Sequence, residues 1–278
     1  MTIDLPVAVL KDYYDGAMRV NPLRDALRDG SVAVGSWLMA PSSITAEVTT
    51  RIGFDYCCVD MQHGLIGYSD ALLMLQALSL GETTAAVRVP WNEPGILGKV
   101  LDAGAMAVIV PMVNTADQAE QAVRRSMYAP RGDRSSGPVR AEPLEGPEYS
   151  KVANDHVQVI PMIETTEALE NLDDILATPN VDAVYVGPMD LGVSMGLGRG
   201  TTDPSFFAAL DRIVERCAAH DVTPGIHANP ANIAGMIDRG FRMVTAQTDL
   251  SAMRLGLTEA LTAGRRDNTK PAGHSEGY

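Results

Sequence analysis

Short apolar segments rich in β-branched residues alternate with longer segments of helical periodicity, and about eight such units follow one another along the chain. This alternation is typical of a parallel sheet, in which a crossover helix connects each strand to the next. About eight units is the number in a closed (β/α)8 barrel, the TIM barrel. A dinucleotide-binding open sheet is disfavoured, because Thr201 stands where the third glycine of G-x-G-x-x-G would follow Gly196 and Gly198. We therefore predict an α/β fold of the (β/α)8 type.

The predicted strands share apolar cores: Val32–Leu38, Phe54–Val59, Thr84–Val89, Ala107–Val113, Val157–Glu164, Ala183–Gly187, Thr223–His227 and Arg242–Gln247. The predicted helices begin near capping residues or prolines: Ser42–Arg51, Ser69–Ser79, Pro94–Ala103, Thr115–Met127, Thr166–Ala177, Pro204–His220, Pro230–Asp238 and Leu250–Ala263.

This pattern predicts one barrel domain over residues 21–264, preceded by an N-terminal extension, 1–20, and followed by a polar and mobile tail, 265–278. Residues 129–155 are rich in proline and glycine and have little periodicity. A loop of this length in a compact domain is usually functional or disordered. We expect it to lie over the barrel mouth as a lid, with an ordered loop along the barrel side as the alternative.

The net charge of −13 argues against nucleic acid and anionic membranes as partners, because no basic surface would offset the phosphates. The three cysteines, Cys57, Cys58 and Cys217, form neither a disulfide framework nor a spaced metal motif. The N-terminal segment does not read as a signal peptide, and no apolar run reaches membrane-spanning length. These features favour a cytoplasmic protein.

Two carboxylates follow consecutive predicted strands, Glu164 after the fifth and Asp190 after the sixth. Because active sites of such barrels lie at the carboxyl ends of the strands, these side chains are expected to lie close together. Mg²⁺ and Mn²⁺ favour carboxylate oxygens, with water and substrate oxygens completing the coordination. The alternative is that each carboxylate stabilises the first turn of the following helix.

Arg88 ends an apolar strand, where a charged side chain is costly unless it meets an anion such as a carboxylate or an enolate. Glu93 would be its partner in a purely structural role. His63 follows Asp60 by three residues and could serve as a general base near neutral pH. His227, after the seventh strand, is a weaker candidate for the same rim.

An imine mechanism is excluded, because Schiff-base aldolases need a buried lysine near a strand end. The lysines of this chain lie in the N-terminal segment, a helix, a loop and the tail: Lys11, Lys99, Lys151 and Lys270.

At these same residues the chain resembles the HpcH/HpaI aldolases, the metal-dependent pyruvate aldolases of the phosphoenolpyruvate/pyruvate barrel superfamily. The similarity runs from about Leu23 to the final helix. The matching stretches are short but specific in combination: 60–63 (DMQH), 88–94 (RVPWNEP), 101–104 (LDAG), 110–113 (VPMV), 163–165 (IET) and 187–191 (GPMDL).

The resemblance implies that Glu164 and Asp190 bind a divalent cation, Mg²⁺, Mn²⁺ or Co²⁺, that chelates pyruvate. Arg88 would contact the keto or enolate oxygen, and His63 would be the base. Asp60 and Asp102 match acidic residues that support the histidine, the latter by reaching across a subunit interface.

The resemblance further implies that the pyruvate carboxylate lies against the segment Gly187, Pro188, Met189 and Asp190. It also implies a homo-oligomer built from dimers, up to a hexamer, in which the last helix is exchanged between protomers.

The chain departs from its relatives at three places. Met162 stands where well-studied members often have glutamine, so that a polar contact near pyruvate is missing. Gln62 replaces a common acidic residue, and 135–137 (SSG) replaces a glycine-rich continuation.

The sequence therefore predicts an aldehyde-lyase that reversibly cleaves a 4-hydroxy-2-oxo acid into pyruvate and an aldehyde through a metal-bound enolate. One alternative is a malyl- or citramalyl-CoA lyase that uses Arg131, Arg134 and Arg140 near the mouth. The other is a metabolite-binding barrel without activity.

Overall fold

A computed structural model describes residues 19–267 of the chain, with side chains through Arg265. Eight parallel strands form a closed barrel in sequential order, so that the predicted (β/α)8 fold is confirmed. The strands are β1 Ala33–Leu38, β2 Tyr56–Asp60, β3 Thr84–Arg88, β4 Ala107–Val110, β5 Gln158–Ile163, β6 Ala183–Val186, β7 Thr223–His227 and β8 Met243–Thr248.

Helices cover the outside of the barrel and occupy several connections. They are α1 Pro22–Asp29, α2 Ser43–Thr50, α3 Tyr68–Leu78, α4 Pro94–Asp102, α5 Ala116–Ser126, α6 Ala141–Glu145, α7 Tyr149–His156, α8 Thr166–Glu170, α9 Leu172–Leu176, α10 Pro188–Ser194, α11 Pro204–Ala219, α12 Ile233–Arg239 and α13 Asp249–Asp267. Within residues 19–267, no helix is both long and apolar enough to cross a membrane.

Side chains fill the barrel interior, as in other barrels of this size. Tyr56 and Tyr185 both hydrogen bond to Thr245 Oγ1, at 2.9 and 2.6 Å, in the middle of this interior. Gly35 makes room for Tyr56, because a Cβ there would lie 2.2 Å from the Tyr56 ring. The interior below the strand ends is therefore a packed core, and any ligand must bind above it.

Helix α1 closes the amino-terminal end of the barrel. Asn21 caps the helix by accepting the Arg24 N–H at 3.1 Å, and Leu23 lies fully buried. The Leu23 N–H and the Asn21 Oδ1 both hydrogen bond to Thr84 Oγ1, at 3.0 and 2.8 Å, where β3 begins. This closure leaves the carboxyl ends of the strands as the open mouth.

The prediction that residues 129–155 form a lid over the mouth is wrong within the chain itself. The segment follows α5 and precedes β5, and connections from helix to strand lie at the amino-terminal end of a barrel. It accordingly contacts that end, where Arg28 Nη2 of α1 donates to the Asp155 carbonyl at 3.1 Å and the Arg140 N–H donates to the Asp102 carbonyl at 3.3 Å. It is ordered around α6 and α7 rather than irregular.

Other boundaries differ in detail. The helix predicted over 166–177 is divided into α8 and α9 at Asn171, and α10 was not predicted. The last helix continues to Asp267, through the first residues of the predicted tail. The remaining tail and residues 1–18 lie outside the described residues.

Candidate active site

Interior positions at the carboxyl ends of neighbouring strands bring the predicted charges together. Asp60 ends β2 and Arg88 ends β3, and the two residues are paired in the strand register. Arg88 donates through Nε to Asp60 Oδ1 at 2.8 Å and through Nη2 to Oδ2 at 2.6 Å. Asp60 is fully buried and Arg88 is 8% exposed. The pair therefore forms the floor of the mouth on this side.

Asp60 is fully engaged as a hydrogen-bond acceptor. Its Oδ1 also receives the backbone N–H groups of Gln62 and His63, at 3.0 and 3.3 Å. Burial alone would raise the pKa of Asp60, but the hydrogen bonds and charge of Arg88 outweigh it and hold the pKa below its usual value. Such a carboxylate is a poor base, and it instead positions Arg88 and the loop that carries His63.

The guanidinium of Arg88 keeps one edge for a ligand. Its Cζ lies 5.1 Å from the Trp37 ring centroid, which is a cation–π distance. Among the described residues, its Nη1 has no hydrogen-bond partner. The negative charge of Glu164 also reaches Arg88. A planar cation held in this way is suited to binding an oxyanion.

Glu164 lies directly after β5 and is 2% exposed. Its Oε1 accepts the backbone N–H of Met112 at 2.7 Å. Met112 has a φ of +55°, a left-handed conformation that is uncommon for a residue with a side chain. Gly187 lies against the other oxygen, since a Cβ there would be 2.5 Å from Oε2. The carboxylate is thus fixed by the N–H of a residue in a left-handed conformation on one side and by a glycine on the other.

Asp190 lies in the first turn of α10 and is exposed. Burial, and to a smaller extent the charge of Asp190, raises the pKa of Glu164 above its ordinary value, against the opposing effects of Met112 and Arg88. A buried carboxylate whose charge is disfavoured by a neighbouring carboxylate suits a divalent cation, which would neutralise both groups. Among the described residues no cluster of three or more His, Cys, Asp or Glu forms. A cation here would complete its coordination with water and substrate oxygens.

His63 is placed differently from the expectation that Asp60 supports its imidazole. The His63 side chain is exposed, and Asp60 contacts its backbone N–H rather than its imidazole. Asp102 ends α4 at the amino-terminal end of the barrel, where its Oδ1 accepts Arg134 Nη2 at 2.7 Å. Within a single chain Asp102 therefore does not support the histidine, because a helix that starts at the mouth ends at the opposite face.

The family model of the HpcH/HpaI aldolase/citrate lyase family matches residues 33–254, which include every strand of the barrel. The chain belongs to this family. Because the family and the curated relatives below are aldolases by name, the chain is an enzyme of the aldolase type.

Two curated relatives match nearly their full length. A hydroxypyruvate/pyruvate aldolase of Rhizorhabdus wittichii is 34% identical over 249 residues, covering 88% of this chain and 99% of the relative. A 4-hydroxy-2-oxo-heptane-1,7-dioate aldolase of Salmonella typhimurium is 34% identical over 262 residues, covering 93% and 99%. A solved structure of an HpcH/HpaI aldolase/citrate lyase family protein from Burkholderia cenocepacia J2315 superposes with a TM-score of 0.84, 30% identity, and coverage of 88% and 100%.

This HpcH/HpaI family member has an apolar wall beside Glu164. Met162 is 1% exposed in β5, and its Cε would lie 3.1 Å from a Cβ on Gly187. A glutamine here would bring an amide into the site, whereas the thioether of Met162 is a weak acceptor at most. Methionine in place of glutamine therefore removes a polar group beside Glu164 without removing a charge.

Three further residues belong to the site. Met112 and Trp37 were not predicted as site residues, and His227 was only a weaker candidate for the rim. Met112 contributes only a backbone N–H, which side-chain patterns do not reveal. Trp37 and His227 lie at the last interior positions of β1 and β7, with ring centroids 5.1 Å apart and planes at 81°. The two-residue alternation of the strands would have pointed to both side chains.

Proposed function

We propose that the chain catalyses reversible aldol cleavage of a 4-hydroxy-2-oxo acid into pyruvate and an aldehyde. One observation carries this proposal. The buried Asp60–Arg88 pair presents a guanidinium edge to a mouth that also holds Glu164 and Asp190. This set can bind a keto acid and stabilise negative charge on its keto oxygen. Lys99 lies in α4 and Lys151 lies in α7 rather than in the predicted loop, so neither lysine ends a strand.

The 2-oxo acid would bind with its carboxylate against the backbone from Gly187 to Asp190, at the start of α10. In cleavage, a base removes the proton of the C4 hydroxyl, the C3–C4 bond breaks, and its electron pair moves toward the C2 keto oxygen. Arg88 stabilises the resulting enolate oxygen, as preorganised donors do in oxyanion sites. Protonation at C3 then gives pyruvate.

His63 is our candidate for the base. Its backbone is fixed by Asp60 while its imidazole stays exposed on the loop after β2, where it can face an incoming substrate. An imidazole has both a donor and an acceptor nitrogen and can carry a proton in both directions of the reaction.

Glu164 and Asp190 would hold the divalent cation, which when bound supplies positive charge beside the keto oxygen. Mg²⁺, Mn²⁺ and Co²⁺ are the candidates. The assay couples pyruvate release to lactate dehydrogenase, with 4-hydroxy-2-oxo-heptane-1,7-dioate as the first substrate, before and after EDTA. Activity that is lost with EDTA and restored by one of these ions supports the proposal.

The CoA-thioester alternative loses its main support. Arg134 is buried and paired with Asp102, while Arg131 pairs with Asp155 at 2.7 Å, and both lie at the amino-terminal end rather than at the mouth. The inactive-barrel alternative rested on Met162 and on the supposed lid. Tight binding of pyruvate without turnover would support that alternative.

We also propose a homo-oligomer in which the last helix packs on a second copy. Every residue from 252 to 265 of α13 is exposed, including Leu257, which is 64% exposed. Ile44 and Val48 on α2, and Ile52 just beyond its end, form an exposed apolar stripe with a spacing of four residues, at 73, 59 and 65% exposure. Apolar surfaces of this extent mark interfaces more often than free surface.

Compartment is the last part of the proposal. The three cysteines are free and buried, which fits a reducing compartment, so we propose the cytoplasm.

A further inference from the structure

His227 is a histidine of the site to which the aldol mechanism gives no role. It ends β7, two residues after Gly225. A Cβ on Gly225 would meet the Tyr185 side chain at 2.8 Å, so Gly225 faces the barrel interior. Since side chains alternate along a strand, His227 faces the same interior at its upper end. It therefore shares the floor of the mouth with Trp37 and Arg88.

The imidazole is held by aromatic packing. Its centroid lies 5.1 Å from that of Trp37 in an edge-on arrangement, and Trp37 stacks on Tyr185 at 5.3 Å. The Arg88 guanidinium lies 5.1 Å from the same Trp37 ring. Burial and then the charge of Arg88 lower the pKa of His227 to about 4, so that the ring is neutral in the range where enzymes commonly work.

The two ring nitrogens are not used by the protein. Across the part of the chain that the structure describes, no backbone or side-chain group hydrogen bonds to them. They are also not sealed from solvent, unlike the Nε2 of buried His156. A phenylalanine would pack on Trp37 equally well, so the packing alone does not require a histidine. The nitrogens are instead available to a ligand in the mouth.

The chemistry of the ring limits what that ligand group is. A neutral imidazole offers one N–H donor and one nitrogen acceptor, which matches a hydroxyl that both accepts and donates. A carboxylate is better served by Arg88, and the neighbouring Trp37 side chain provides an apolar wall.

We propose that His227 binds a hydroxyl group of the substrate and makes the enzyme favour substrates that carry one beside the reacting carbons. This inference rests on the proposed aldolase function. The hydroxyl has two sources, the C3 hydroxyl of a 3-hydroxy-2-oxo acid as donor, or the hydroxyl of a 2-hydroxyaldehyde as acceptor.

The test compares kcat/KM in two arms. The donor arm uses hydroxypyruvate against pyruvate with one aldehyde, and the acceptor arm uses glycolaldehyde against acetaldehyde with pyruvate. His227→Phe keeps the ring on Trp37 and removes both nitrogens, while His227→Asn keeps a donor and an acceptor. His220→Phe, which alters only a surface pair with Asp173, is the control.

For His227→Phe we expect the ratio of kcat/KM, hydroxylated over non-hydroxylated, to fall about two- to tenfold in one arm, the range for a single hydrogen bond. His227→Asn should retain part of the preference, and His220→Phe all of it. Unchanged ratios in both arms, or an equal loss for all substrates, would overturn the role of His227.

The failure of the proposed function would look different. Wild-type enzyme would then turn over none of the substrate pairs, with or without added Mn²⁺. In that case, fluorescence titration of Trp37 and Trp91 with hydroxypyruvate and with pyruvate still tests the hydroxyl preference. A ratio of the two affinities that is the same in wild type and in His227→Phe would overturn it.

Discussion

Replacing Asp60 with asparagine should both destabilise the barrel and impair catalysis. The wild-type carboxylate is fully buried and receives Arg88 Nε and Nη2 at 2.8 and 2.6 Å. Removing one partner of a buried ion pair leaves the other charge uncompensated, at a cost of about 3–5 kcal/mol. Asparagine keeps the shape and one acceptor oxygen, and Glu164 still faces Arg88. We therefore expect a loss of about 2–4 kcal/mol in the free energy of unfolding.

Urea denaturation followed by circular dichroism measures this loss. Asp133→Asn is the matched control, because Asp133 also pairs with an arginine, Arg124, at 2.9 Å, but with both side chains more than half exposed. That pair should contribute only about 0–1 kcal/mol. The Asp60→Asn enzyme should also lose about 10²-fold in kcat, since Arg88 is no longer held against the enolate oxygen.

The pH dependence gives a second check. The folded-state pKa of Asp60 is below its unfolded value, so its stabilisation is present above about pH 4 and is lost as the pH falls through the lowered pKa. The stability gap between wild type and Asp60→Asn should therefore shrink under acidic conditions. An Asp60→Asn protein as stable as Asp133→Asn, with unaltered kcat, would refute the reasoning.

Further predictions concern the cation site, the strained loop, the base and the assembly. Glu164→Gln should raise the melting temperature at pH 7 in EDTA. The pKa of Glu164 is higher in the folded than in the unfolded state, so the ionised side chain destabilises the fold above its unfolded pKa of about 4.3. Added Mn²⁺ should raise the melting temperature of wild type but not of the variant. Met112→Val should weaken Mn²⁺ binding in a calorimetric titration and lower the free energy of unfolding by about 1–2 kcal/mol. Met112→Gly has no left-handed strain and should keep the wild-type affinity and stability. Equal Mn²⁺ affinities of the two variants would disprove a positioning role for this backbone. His63→Ala should lower kcat about 10²-fold or more without changing Mn²⁺ affinity, and a drop in affinity instead would exclude a purely proton-transferring role. Leu257→Asp should shift the mass measured by light scattering toward the monomer, and an unchanged mass would remove α13 from the interface.

The sequence was sufficient for the barrel because strand and helix periodicities repeat about eight times along the chain. It also located Glu164 and Arg88, since charged residues at the carboxyl ends of apolar strands are expected to line the mouth of the barrel. Asp60 was found, but its role was not: only the geometry shows that its oxygens are occupied by Arg88 and two backbone N–H groups.

The errors have physical causes. The lid was misplaced because its composition was considered without its position between a helix and a strand. The support of Glu164 by Met112 could not be predicted, because it depends on a backbone N–H that a left-handed residue turns toward the site. Asp102 lies at the far end of α4 from the mouth, so its expected support of the histidine across a subunit interface stays a prediction.

The central claim is that Glu164 and Asp190 serve a cation-dependent aldolase. The most direct test is the initial rate of pyruvate release from 4-hydroxy-2-oxo-heptane-1,7-dioate by EDTA-treated enzyme, before and after Mg²⁺, Mn²⁺ or Co²⁺ is returned. We predict no release after chelation and recovery with at least one ion, in wild type but not in Glu164→Gln. Undiminished release after complete removal of divalent cations would contradict the account.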